Sequence, residues 1–160
     1  MDKNTFIKTL KETRAQWEEL LAQIDQEWML EPGVAEQWSV KDIVAHIMWS
    51  EQELIPVMQT HVLAGSELWN LPLDERNEIV VLQSRNRSLR EILTEEQETY
   101  AQFLQAVQTL SEEDFNDPHR FKDMPENWVP WQILAGSSFK HFQDHMPSIR
   151  EWLAHRKQAV

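Results

Sequence analysis

The sequence contains no cysteine. Disulfides, a thiolate nucleophile and cysteine-ligated zinc are thereby excluded, and any metal would have to be held by His, Asp, Glu or water. Glycine is scarce too, with three in 160 residues, at positions 33, 65 and 136. Together with evenly spread Leu, Gln, Glu and Ala, this scarcity points to a mostly helical chain. No apolar run is long enough to cross a membrane, and none follows Met1 as a signal peptide would. A cytoplasmic protein with no membrane partner is therefore expected. Positive charge is in deficit: 15 Lys and Arg stand against 27 Asp and Glu, giving a net charge of -12 and a pI of about 4.9. Phosphate backbones are bound by neutralising Lys and Arg, so this balance predicts no nucleic-acid partner and a surface that repels anionic lipid.

What is present suits one domain, residues 1–160, with a length that can bury a real core. Four helical patterns can be read, with no strand signal and no internal repeat. The first covers residues 5–25, with Phe6, Leu10, Trp17, Leu20, Leu21 and Ile24 at helical spacing. Pro32 and Gly33 mark a loop. The second begins at Ser39, where Asp42 three residues on resembles a capping box with a shorter acid than usual. Its stripe is Val40, Ile43, Val44, Ile47 and Leu54; Pro56 should kink it, and Gly65 is its expected terminator. The third covers residues 73–110, with a break expected near 84–88. A short turn capped by Ser111 and an irregular stretch at 116–127 follow. The last helix covers roughly 128–155, with Pro130 in its first turn and Pro147 bending it. Four amphipathic helices without strands predict an all-α four-helix bundle, a fold that often places metal or ligand sites between facing helices.

The chemistry is concentrated in histidine. His141 and His145 lie one helical turn apart and project from one face. That face otherwise carries Leu134, Ile149 and Trp152. His46, beside Ile43 and Trp49 on the second helix, is placed to point inward with them. Neutral imidazole ligates zinc, nickel, copper or iron, and three protein ligands with one open position is a common catalytic zinc arrangement. The competing reading is a set of core histidines satisfied by carbonyls or carboxylates, since unpaired buried polar groups are costly. Glu51, Glu53 and Asp144 are nearby in sequence and are candidates to orient an imidazole or act as a base. His61, His119 and His155 read as surface residues. Eight tryptophans are unusually many. Each reads either as a core anchor with a polar N–H or as part of an aromatic pocket for a small-molecule substrate. Trp38, Trp49, Trp128 and Trp131 are the candidates for the wall of such a pocket.

The run from Trp38 to His46, with its W-S-x-x-D-x-x-x-H pattern, and the run from Trp131 to His145 with HxxxH resemble the second and last helices of the DinB/YfiT-like superfamily. Details around Trp69-Asn70, residues 111–115 and residues 133–145 look most like its colibactin-resistance branch, the ClbS/DfsB-like proteins. The resemblance implies a DinB-like four-helix bundle, often a homodimer. It also implies a divalent metal, zinc or nickel, held by His46, His141 and His145. Characterised relatives include transferases and isomerases that use a low-molecular-weight thiol. The implied function is thus a metal-dependent transferase or hydrolase acting on a small electrophilic molecule. The colibactin-resistance branch implies the alternative: a metal-independent electrophile-binding or cyclopropane-hydrolase-like protein of resistance or detoxification. This chain resembles that branch yet keeps all three histidines.

Overall fold

The computed structural model describes residues 1–158; positions 159 and 160 of the expected domain lie outside the described residues. Helix α1 (Lys3–Leu21) starts at Asp2, whose carboxylate accepts a hydrogen bond from the Thr5 N–H at 2.8 Å. It buries Phe6, Leu10, Trp17 and Leu20. The apolar spacing that suggested a helix to residue 25 continues through turns, in which Gln23 and Ile24 donate to Leu20 and Leu21 three residues back. Ile24 still reaches the core.

Helix α2 (Val40–Thr60) has the expected capping box. Ser39 Oγ accepts from the Asp42 N–H at 3.2 Å, and Asp42 accepts from the Ser39 N–H at 2.8 Å. Pro56 lies inside the helix. The helix stops at His61, which takes the left-handed conformation at φ 54°, four residues before Gly65.

The pattern expected at 73–110 is two helices, α3 (Leu73–Ser84) and α4 (Leu89–Thr109). A second capping box, Ser88 with Glu91, starts α4 afresh. The short α5 (Glu112–Asn116) carries a third, Ser111 with Asp114. The expected last helix is also divided, into α6 (Pro130–Gly136) and α7 (Phe139–Gln158). At the break the buried Ser138 hydroxyl donates to the Leu134 carbonyl at 2.6 Å. Serine side chains that bond local backbone compete with helix continuation, and Gly136 beside them adds little helical preference.

Helix α2 is the centre of the bundle, packing on α4, α3 and α7, while α1 packs on α7 and α4. The four long helices α1, α2, α4 and α7 make the all-α bundle expected from the sequence, with no strand among the described residues. Its core is aromatic at one end: Phe6 meets Phe115 and Phe139 edge-on at centroid distances of 5.2 and 5.1 Å. No described helix is long and apolar enough to cross a membrane.

The bundle also buries charge. Arg14 on α1 binds both carboxylate oxygens of Glu96 on α4, donates to Glu18 at 2.7 Å, and lies 4.4 Å over the Tyr100 ring. Glu51 on α2 is fully buried beside this pair, and neither of its oxygens has a partner. Burial, then the neighbouring Glu96 charge, hold the Glu51 carboxyl protonated well above its ordinary 4.5, against a smaller opposing pull from Arg14. The folded chain thus keeps this proton to higher pH than the unfolded chain. The contribution is complete below about 4.5 and is lost as pH rises toward the folded value. Glu51→Gln should therefore gain stability over the wild type progressively as pH rises above 4.5, read as denaturant midpoints. Parallel pH profiles for the two proteins would refute a protonated Glu51.

Candidate metal centre

His46 is buried on α2, opposite the half-buried His141 and His145 on α7. One ring nitrogen from each lies within 4.8 Å of the others. The closest pair is His46 Nε2 and His141 Nε2, 2.9 Å apart. The rings meet nearly at right angles, with centroids 4.6 Å apart for His46–His141 and 5.5 Å for His46–His145. Each α7 histidine is thus aimed at the one on α2.

The core-histidine reading requires carbonyl or carboxylate partners, and these rings have none among the described residues. The only ring hydrogen bond is between His46 and His141, and the Nδ1 atoms of both are buried and unpartnered. Burial is the main force on all three. It pushes His46 down to about 3, helped by His145 and Arg76. His141 falls to about 2, helped by His46, His145 and Arg76. His145 is lowered by burial, with exposed Asp144 pulling the other way. At neutral pH all three imidazoles are uncharged, the form in which nitrogen offers a lone pair to a cation. The donor set suits a borderline divalent ion such as zinc or nickel. The unpartnered Nδ1 atoms depart from the usual ligating histidine, whose second nitrogen donates to a carbonyl or carboxylate.

The remaining sequence candidates are dispersed. Trp38 lies against the cluster, 5.1 Å from the His46 ring and stacked on His145 at 6.4 Å. Trp49 is half-buried and packs on Trp69 at 5.1 Å. Trp128 lines a mainly apolar cavity of about 660 Å³ with Trp69, Leu54, Val57 and Ile133. Trp131 is outside that lining, beneath the Lys140 ammonium at 5.6 Å. Glu53 accepts from the Trp69 indole N–H at 2.8 Å and the Ser66 N–H at 2.7 Å, so it holds a loop rather than an imidazole. Glu51 belongs to the Arg14–Glu96 cluster. His61 is half-buried, stacked on Phe121 with Nε2 3.3 Å from Asp114, whereas His119 and His155 are exposed as expected.

Trp69 is the aromatic residue that sequence reasoning left out of the pocket wall. Its signal was Gly65. A Cβ there would lie 2.6 Å from Trp69 Cδ1 and 3.1 Å from Glu53 Oε2, so the glycine makes room for the indole.

The fold and this cluster define a class, a helical bundle with a three-histidine group between its second and last long helices. The family model of the DinB superfamily matches residues 9–155, and the chain belongs to that superfamily. Solved structures agree on the fold. One is described as "Sibling Lethal Factor Precursor - DfsB", at 19% identity and TM-score 0.83, covering 98% of this chain and 97% of that one. Another is an uncharacterised protein from Escherichia coli UTI89, at 12% identity and TM-score 0.77, covering 98% and 95%. A third is the colibactin self-resistance protein ClbS in complex with double-stranded DNA, at 11% identity and TM-score 0.79, covering 94% of each chain. No curated protein matches this chain.

The ClbS complex corrects one expectation. Nucleic acid was excluded on the net charge of -12, yet a protein of this fold is solved on a DNA duplex. Net charge is a sum over the whole surface, whereas backbone contact depends on local Lys and Arg and is compatible with an acidic remainder.

In the metal-free protein, His46 and His141 should remain neutral at about pH 5, well above their folded values and below the ordinary 6.5. Imidazole nitrogen NMR shifts read this directly; protonated rings at that pH would show that the cluster is hydrated rather than buried. Because these pKa values are lowered, the stability the cluster contributes is present above 6.5 and is lost as pH falls toward the folded values.

Proposed function

We propose that His46, His141 and His145 hold a divalent metal ion, zinc or nickel, and that the protein is a metal-dependent transferase or hydrolase acting on a small electrophilic molecule, with a low-molecular-weight thiol as co-substrate in the transferase case. The observation that carries this reading is the convergence of three uncharged imidazoles that have no carbonyl or carboxylate partner among the described residues, the Nδ1 atoms of His46 and His141 being buried and unpartnered. A metal bound there supplies Lewis-acid polarisation and a lowered pKa for a water or thiol. The chain's own residues set the surroundings: Trp38 closes one side of the cluster, and burial keeps the ligands deprotonated. With no cysteine in the chain, a thiol nucleophile must come from outside. We place this activity in the cytoplasm and in a homodimer, both as parts of the same proposal.

A second reading rests on the aromatic cavity beside Trp69 and Trp128 and on the similarity in fold to a colibactin self-resistance protein. There the protein binds or hydrolyses a reactive electrophile without metal, with the histidines as acid–base groups. In this reading duplex DNA is also a partner, held through local basic side chains.

Elemental analysis of untagged protein, purified without chelator, separates the two readings. About one divalent ion per chain, lost in His141→Ala, is the expected result for a three-ligand site. Absence of metal even after incubation with zinc and nickel would reject the metal reading and leave the electrophile-binding one.

A further inference from the structure

Arg76 on α3 has a position that the histidine cluster alone does not explain. Its guanidinium carbon lies 4.5 Å over the Trp69 ring. Its Nε is buried without a hydrogen-bond partner, and no carboxylate lies within ion-pair distance of it among the described residues. In a chain with 27 acidic residues this is a pointed absence. Half-buried guanidinium without a counter-ion is costly, and stacking on an indole offsets only part of the cost. Arg76 is also close enough to His46 and His141 for its charge to help hold both unprotonated.

The platform under Arg76 is built. Glu53 fixes the Trp69 indole through its N–H, Gly65 admits the ring edge, and Trp49 packs on it at 5.1 Å. A guanidinium held over an aromatic ring keeps its planar fork of N–H groups, which can bind carboxylate or phosphate through two parallel hydrogen bonds.

We propose that Arg76, seated on Trp69, is the anchor for an anionic oxygen group, carboxylate or phosphate, on a small molecule whose reacting centre lies at the three histidines. This deepens the enzymatic reading above and rests on it for the reacting centre. It assigns the substrate or co-substrate to the class of small organic anions. Arg76 serves as a binding and positioning residue: it holds the anion and neutralises charge that would otherwise oppose entry to an acidic protein.

The test uses metal-free full-length protein, so that an anion cannot bind a metal instead. Benzoate and inorganic phosphate are titrated at constant ionic strength while the Trp69 indole N–H is followed by NMR. The expected result is a saturable shift with at least one probe, abolished in Arg76→Gln and weakened roughly tenfold in Arg76→Lys, which keeps the charge and loses the fork. Saturation by one probe alone tells carboxylate from phosphate. An unchanged shift in Arg76→Gln, or no saturable shift in wild type, would overturn the assignment. Arg76→Gln should keep the wild-type amide spectrum away from α3 and the wild-type metal loading. Absence of metal from every variant would instead remove the metal reading, while the anion titration would still report on Arg76.

Discussion

Burial of three imidazoles between α2 and α7 is the constraint around which the chemistry of this protein is arranged. Desolvation strips the rings of protons, and no carbonyl or carboxylate replaces the water they have lost. A cluster of this kind is unsatisfied by its own protein, which is what distinguishes a binding group from a core polar network. The metal reading follows from that unsatisfied state.

Helix α2 keeps two incompatible polar environments apart. His46 and Glu51 are five residues apart, about 140° around a helix, and so face different neighbours. His46 meets α7. Glu51 meets the Arg14–Glu96 pair between α1 and α4. The buried carboxylates Glu51 and Glu96 are thus kept in a separate cluster, away from the imidazoles, and Glu53 is occupied by the loop that carries Trp69. The positive Arg76 acts on His46 and His141, favouring neutral rings and an anionic visitor alike, while exposed Asp144 pulls His145 the other way.

The bundle and the histidine cluster were legible because both are periodic. Apolar spacing marked the four long helices, Ser39 marked the start of α2, and the one-turn step of His141 and His145 put them on one face. The breaks were less visible. The division at Ser137–Ser138 comes from a hydroxyl bonding one carbonyl, a local competition that leaves no period. The end of α2 at His61 rests on a left-handed residue that is not glycine. Gly65 was read as a terminator, though its role is to lie against an indole supplied four residues later. Trp69 and Arg76 are joined to the site only by packing of the α2–α3 connection, which no pattern within one helix can report. Net charge does not exclude nucleic acid for the related reason that it carries no positions.

X-ray absorption at the metal edge of zinc- or nickel-loaded protein tests the central claim most directly. The account predicts three imidazole nitrogens at about 2.0–2.1 Å, with that shell lost in His145→Ala as in His141→Ala. A coordination shell of oxygens without imidazole, or one unchanged in that variant, would contradict it.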